Sequence, residues 1–342
     1  MAKERRKRVT MEDVARRAGV SITTVSHVIN QTADISQETA DRVRQAISDL
    51  GYVSRRSSAE LNRGQRIIGV FAPEISNEFY ARAIQAIVDE AWLHDYAVLV
   101  CSVQHKKRTE ASYIRSLLQC GARGLIFFGG ATDDEKQILD AARQVPVVLG
   151  DRRLPSIPID SVGTDNTDIM RRMIAKLSHA GYSRIGYVSE DLIMSNACDR
   201  YLGYKLGMED CGLAIDDQWV FLQSELRLDK VENARAFFTG ALSRGLPLPQ
   251  ILLCTSDLIA IGVIAALRAA GYQVPRDVGV VGFDDIPIAA CCDPPLTTIA
   301  QDMRQLGRNC FLALRNRMEN ADQTCQEIIV RAKIVVRSSV RL

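Results

Sequence analysis

Ser21-Ile22-Thr23-Thr24-Val25-Ser26-His27-Val28-Ile29-Asn30 has the pattern of one short helix. Ser21 suits the N-cap, and Val25, Val28 and Ile29 recur at the spacing that gathers side chains on one inward face. The opposite face carries Ile22, Thr23, Ser26 and His27, which are small or planar and can reach a base edge. Just upstream, Thr10-Met11-Glu12-Asp13 is a capping-box start for a helix through Val14, Ala15 and Ala18. Gly19-Val20 then makes a tight turn that a small residue suits. Two short helices about such a turn form a helix-turn-helix, whose second helix enters a DNA major groove. Any pair of short amphipathic helices can imitate this unit, but its neighbours favour the DNA reading. A third helix is predicted from the N-cap Ser36, with Ala40, Val43, Ala46, Ile47 and Leu50 on one face, stopping at Gly51. The arm before the motif, Lys3 to Arg8, holds five basic residues.

The charge distribution points the same way. The formal net charge is only +2, yet residues 1–66 hold 13 Lys and Arg against 8 Asp and Glu, and the remainder holds 30 against 33. Positive charge therefore sits with the helix-turn-helix, as binding to phosphates requires. A length of 342 residues predicts two or three units, and 47% hydrophobic with 25% charged residues is an ordinary globular composition. No apolar run is long enough to span a membrane, and the basic N-terminus lacks the apolar stretch of a signal peptide. Nine cysteines without a C-x-x-C or a zinc-like spacing fit a reducing compartment. The expectation is a cytoplasmic, nucleoid-associated protein with no membrane contact, no metal and no cofactor.

From Ile67 the texture changes to short apolar strands alternating with helices. Ile67–Phe71, Ala97–Cys101, Gly124–Phe128 and Val145–Leu149 read as buried parallel strands. The alternation resumes at Arg184–Val188, Ile251–Cys254 and Val278–Phe283, which argues for two doubly wound α/β lobes. Pro294–Ile299 returns the chain across the lobe boundary, a helix over 302–319 packs on the first lobe, and Ile328–Arg337 closes as a last strand. In such sheets ligands bind beyond the carboxyl ends of the strands. Asp151, Ser256-Asp257 and Asp284-Asp285 stand there, and Arg200 opens the helix after Arg184–Val188. Each carboxylate alone reads equally well as a helix cap or a loop acid, but four of them converging with a forked guanidinium suit the hydroxyls of a sugar.

The run from Thr10 to Asn30, with Asp13-Val14-Ala15, Ala18-Gly19-Val20-Ser21, Thr24-Val25-Ser26 and Val28-Ile29-Asn30, followed by Leu50-Gly51-Tyr52, resembles the lactose/galactose repressor family of bacterial transcription regulators. The resemblance continues down the whole chain. It implies an N-terminal all-α helix-turn-helix domain over 1–56, a hinge helix over 57–65 and a two-lobed α/β core like a periplasmic binding protein over 66–342. Lobe 1 would cover about 66–165 and 300–327, and lobe 2 about 166–299 and 328–342. The DNA-contacting set it implies is Thr10, Ser21, Ile22, Thr23, Thr24, His27, Asn30, Tyr52 and Leu61. Leu61 lies nine residues after Tyr52, where the family places a leucine that wedges into the minor groove. Ser54 and Ala59 depart from the proline and arginine common there. On the effector side the resemblance assigns Arg200, Asp284 and Ser256 with Asp257, and draws an aromatic edge from Asn77-Glu78-Phe79-Tyr80. Glu225 stands near where relatives place an aromatic that stacks on the ligand, so a hydrophilic or positively charged ligand is expected rather than a flat base.

The expected function is a carbohydrate-responsive repressor, a homodimer on a pseudo-palindromic double-stranded operator. A transport-type solute receptor would share the cleft but would need a signal peptide and no DNA module. An enzyme is the third class. The chain has no G-x-S-x-G, P-loop, G-x-G-x-x-G or His-rich metal site, and none of its four histidines has a partner at a recognisable spacing.

Overall fold

A computed structural model of the chain describes residues 9–30, 32–50, 52, 66–103, 107–129, 135–154 and 157–342. The expected basic arm, the side chain of Asn30, and the hinge with Ser54, Ala59 and Leu61 lie outside the described residues. The chain forms two compact units, one up to residue 64 and one from residue 65 onward.

The first unit is a three-helix headpiece of α1 (Met11–Ala18), α2 (Ile22–Asn30) and α3 (Gln37–Leu50). The capping box is formed in both directions: the Asp13 amide donates to the Thr10 hydroxyl, and the Asp13 carboxylate accepts from the Thr10 amide at 2.9 Å. Gly19 ends α1 in the left-handed region at φ 66°, which a Cβ disfavours. A Cβ there would also lie 3.3 Å from the Arg42 guanidinium, which donates to the Ala18 carbonyl at 2.6 Å and so ties the turn to α3. Ser21 caps α2 as its position predicts, accepting from the Thr24 amide at 3.0 Å. Val14, Ala15, Val25 and Val43 form the small core, with Val28, Ile29, Ile47 and Leu50 packed against it.

The second unit contains two six-stranded sheets. The strands are β1 (Arg66–Ala72), β2 (Tyr96–Ser102), β3 (Ala122–Phe128), β4 (Val147–Gly150), β5 (Asp160–Thr164), β6 (Ile185–Ser189), β7 (Val220–Leu222), β8 (Ile251–Cys254), β9 (Gly279–Asp284), β10 (Thr297–Ala300), β11 (Glu327–Val330) and β12 (Lys333–Val335). The first sheet has the order β11-β5-β4-β3-β1-β2, with every pairing parallel. The second has the order β12-β10-β9-β8-β6-β7, parallel except where β12 runs against β10. Parallel strands must be covered on both faces, which explains their continuous apolar composition. The helices of the first lobe are α4 (Glu78–Trp92), α5 (Lys107–Gln119), α6 (Glu135–Ala142) and α12 (Met303–Glu319). The second lobe carries α7 (Asn166–His179), α8 (Ser195–Asp210), α9 (Lys230–Ser243), α10 (Asp257–Ala269) and the short α11 (Pro287–Cys291). As predicted, α12 buries Leu306, Cys310, Phe311 and Leu314 in the first-lobe core.

One expectation is corrected. The single last strand over 328–337 is two short strands, one in each sheet, so residues 328–330 belong to lobe 1 rather than lobe 2. Arg331-Ala332 carry the chain between them, because each half satisfies its backbone on the open edge of a different sheet. The strands β5 and β7 are further elements that the apolar pattern does not announce.

The lobes touch at several points. Ile286 and Leu258 of lobe 2 pack against the first-lobe core. Asn196 donates to Asp151 at 2.8 Å, Arg153 pairs with Asp199 at 2.8 Å, and the Arg153 amide donates to the Ser195 hydroxyl at 2.9 Å. Gln301 links Asp284 to Thr164, donating to the first at 2.9 Å and accepting from the second at 2.6 Å. The two lobes are closed on each other.

Candidate functional site

In the headpiece the inward side of α2 is spent on packing, so only the other side can meet DNA. Ile22 and Thr23 are exposed, and Ser26 and His27 are half-buried. The His27 Nδ1 lies 2.8 Å from the Thr32 hydroxyl, which orients the ring. Thr10 and Ser21 spend their hydroxyls on helix caps, and the Thr24 hydroxyl sits 2.9 Å from that of Ser21. These three frame the starts of α1 and α2. Tyr52 packs against the headpiece core instead of standing out from it, because its amide bonds back to Ile47 and folds it onto α3. Sequence reasoning missed Arg42.

The cleft of the second unit is built at strand ends. Asp151 follows β4, Glu190 and Asp191 follow β6, Thr255 follows β8, and Asp284 ends β9. Asp151 and Asp284 have left-handed backbones, at φ 53° and 114°, as does Asp285 at 59°. Non-glycine residues hold that region at a cost of order 1–3 kcal/mol, and such strain clusters at functional sites.

Arg200, buried in α8, is the centre of the arrangement. Its Nε donates to Asn166 Oδ1 at 2.8 Å, its Nη1 donates to the Thr255 carbonyl at 2.9 Å, and its plane lies 3.8 Å from the centre of the Phe283 ring. Its Nη2 stands 3.9 Å from Asp151 Oδ1, beyond hydrogen-bonding reach. Both of these buried atoms lack a hydrogen-bond partner. Burial raises the pKa of Asp151, against the lowering effect of Arg200 and Asn196. Burial holds Asp284 well above the usual carboxylate range despite the nearby Arg200. The Tyr80 hydroxyl is likewise pushed far up, first by burial and then by Asp151, Glu190 and Asp284.

The outer wall was not legible beforehand. Lys230 pairs with Glu190, and Arg227 pairs with Asp191 through both Nε and Nη2. With Tyr80, Asn77 and Asn196 they enclose a cavity of about 40 Å³. The only signal for them in the chain is Glu190-Asp191 at the end of an apolar strand.

Of the eight expected effector residues only Tyr80 lines this cavity; Asp151, Arg200 and Asp284 are buried and do not face it, and the other four are turned elsewhere by their own elements. Phe79 is buried in the first-lobe core, edge-on to Tyr80, because the helical phase after the Asn77 cap turns it inward. Glu225 is exposed beside the Ser224 hydroxyl, since the short 3-10 turn it occupies sends Leu226 to the core and Arg227 to the cleft. Ser256 caps α10, accepting from the Ile259 amide at 3.2 Å. Asp257 is wholly buried, with Oδ1 accepting from Thr298 at 2.6 Å and Oδ2 from the Ile286 amide at 2.8 Å. Burial pushes it up to about 7 against those bonds. Gly282 lies against this carboxylate, and a Cβ there would collide with it.

A helix-turn-helix headpiece attached to a two-lobed core with polar side chains converging at strand ends defines a class, the ligand-regulated DNA-binding regulator. Residues 10–54 match the model of bacterial regulatory proteins of the lacI family, and residues 174–340 match the periplasmic binding protein-like domain. The chain is 30% identical over 335 residues to the HTH-type transcriptional repressor PurR of Vibrio campbellii, spanning 97% of this chain and 98% of that one. It is 29% identical over 349 residues to the HTH-type transcriptional repressor CytR of Escherichia coli, spanning 99% and 98%. Among solved structures it is similar to the lac repressor dimer bound to operator and the anti-inducer ONPF, with a TM-score of 0.74, 25% identity, and 97% and 99% of the two chains covered. The chain belongs to the lacI family. It is a DNA-binding transcriptional repressor, not a transport receptor or an enzyme. No helix among the described residues is long and apolar enough to cross a membrane.

Proposed function

We propose that this repressor acts as a homodimer on a pseudo-palindromic operator, and that a small uncharged ligand rich in hydroxyls, a sugar or sugar derivative, controls its operator affinity from the cleft. The observation that carries the ligand class is the unpartnered pair, Arg200 Nη2 facing Asp151 Oδ1 at 3.9 Å. A hydroxyl between them accepts from the guanidinium and donates to the carboxylate, which satisfies both atoms at once. Charge supports the same class. The pairs Glu190–Lys230 and Asp191–Arg227 cancel, burial holds Asp284 well above the usual carboxylate range, and Asp151 faces Arg200, so the site carries no clear excess of either sign and suits a neutral ligand. The CelR regulator, 26% identical with a TM-score of 0.70 over 97% of this chain and all of that one, was solved with cellobiose. The dimer and the operator are features of the lac repressor structure, carried over here as expectations.

A cavity of about 40 Å³ holds a water or two and no monosaccharide. Ligand entry therefore requires the lobes to part, and the bonds Asp151–Asn196, Arg153–Asp199 and Asp284–Gln301–Thr164 must re-form around it. A differential fit of open and closed lobes to the hinge, with Leu61 as its minor-groove wedge, would couple ligand to DNA. The test is a thermal-shift screen of the full chain against neutral sugars, sugar phosphates, nucleosides and bases. A neutral sugar should raise the melting temperature and alter operator retention in a gel-shift assay, and Asp151→Asn should lose both responses. Stabilisation by nucleobases alone, or by anions alone in the cleft, would overturn the ligand class.

A further inference from the structure

A second cavity, a groove of about 570 Å³, opens where the crossover segments pass between the lobes. It is far roomier than the closed effector cleft and lies within the usual range of small-molecule sites. Four cations line it: Arg82 from α4, Arg304 from the first turn of α12, Arg331 from the connection between β11 and β12, and Lys333 from β12. Arg82 has only a long contact with Glu78, at 3.6 Å. Arg304, Arg331 and Lys333 are exposed and make no ion pair among the described residues.

None of the carboxylates of the groove makes an ion pair with them; Asp89 and Asp302 keep their negative charge, so four cations stand against these two. Asp285 is held by Arg337 at 2.7 Å, Asp302 caps α12 by accepting from the Gln305 amide at 2.9 Å, and Asp89 accepts from Gln85 at 2.7 Å. Exposed arginines of this core fall into two groups. Arg143, Arg171, Arg268 and Arg276 each have a carboxylate within about 3 Å. Arg115, Arg123, Arg184 and Arg244 likewise make no ion pair among the described residues, so what sets the groove cations apart is that one concavity gathers them. Unengaged cations drawn from three separate elements into one concavity form an excess positive field with free donors, which suits a tetrahedral dianion.

We propose that this groove is a second ligand site, distinct from the effector cleft, and that it binds the phosphate group of a small molecule. The assignment does not depend on what the cleft binds. It has a structural route to matter for the cleft. Gln301 lines the groove, and its side chain bridges Asp284 of lobe 2 to Thr164 of lobe 1. Occupancy beside Gln301 would bias lobe closure, and the bias would be reciprocal.

The experiment is calorimetric titration of the full-length protein with inorganic phosphate and, separately, with glycerol 3-phosphate, at constant ionic strength set with chloride. Both should bind. Equal affinities would assign the site to free phosphate, and tighter binding of the ester would assign it to an organic phosphate. The double variant Arg304→Gln/Arg331→Gln should lose at least tenfold in affinity, whereas Arg143→Gln, on a surface cation outside the groove, should match the unsubstituted protein. All three positions are exposed, and circular dichroism of each variant checks the fold. Absence of binding, or equal affinity in the double variant and in Arg143→Gln, would overturn the proposal.

Discussion

Truncating Arg200 to alanine tests whether one guanidinium organises the cleft. The side chain is about 7% exposed, so its bonds are made in a poorly solvated setting. Arg200→Ala removes the bonds to Asn166 and to the Thr255 carbonyl, each a charge-assisted bond worth roughly 1.5–3 kcal/mol. It also strips Asp151 and Asp284 of their nearby cation. Removing one member of a buried charge group costs about 3–5 kcal/mol, because the remaining charge stays uncompensated. Water can enter the vacated space beside the cavity, which places the expected loss near the lower end, about 3 kcal/mol. Both tryptophans, Trp92 and Trp219, lie in the second unit, so tryptophan fluorescence in a urea titration reports that unit alone. The deficit should shrink as pH falls, since protonating Asp151 removes its orphaned charge, while burial already favours the neutral form of Asp284. Arg200→Lys should fall between, because an ammonium keeps the charge but cannot span both acceptors. A midpoint for Arg200→Ala within about 0.5 kcal/mol of the unsubstituted protein, with the same pH dependence, would refute the reasoning.

His27→Ala should weaken operator binding by about 1–3 kcal/mol per half-site while binding to random DNA falls much less; equal losses in a gel-shift titration would show that the ring does not read a base. Asp257 sets a pH dependence. Its carboxyl is pushed from the ordinary 3.8 to about 7 in the folded state, so the native protein holds this proton more tightly than the unfolded chain. Its contribution to stability is complete below about pH 4 and is lost as pH rises to about 7, with no further change above. Urea titrations at pH 5 and pH 8 should show this slope, and Asp257→Asn should reduce it; an unchanged slope would place the dependence elsewhere.

The sequence by itself determined whatever is local. The capping box at Thr10–Asp13, the left-handed stop at Gly19 and the cap at Ser21 bond within a few residues of themselves, so their chemistry can be read where it is written. The same holds for the inward phase of Val25, Val28 and Ile29, and for the apolar strands that demand cover on both faces. Asp151, Arg200 and Asp284 were legible because strand ends in parallel sheets face one crevice whatever the details.

Only the tertiary structure decided how polar groups at those ends are shared between packing and the cleft. Asp257 and Ser256 sit at the right strand end, but the first turn of α10 aims them at Thr298, Ile286 and Ile259. Glu190 with Lys230, and Asp191 with Arg227, are partners 40 and 36 residues apart, and no local spacing announces such pairs. The groove cations are farther apart still, from Arg82 to Lys333. The division follows from range. A helix cap is satisfied by the next turn of the same chain, whereas the partner of a buried charge is whichever residue the packed lobes bring within about 3 Å of it.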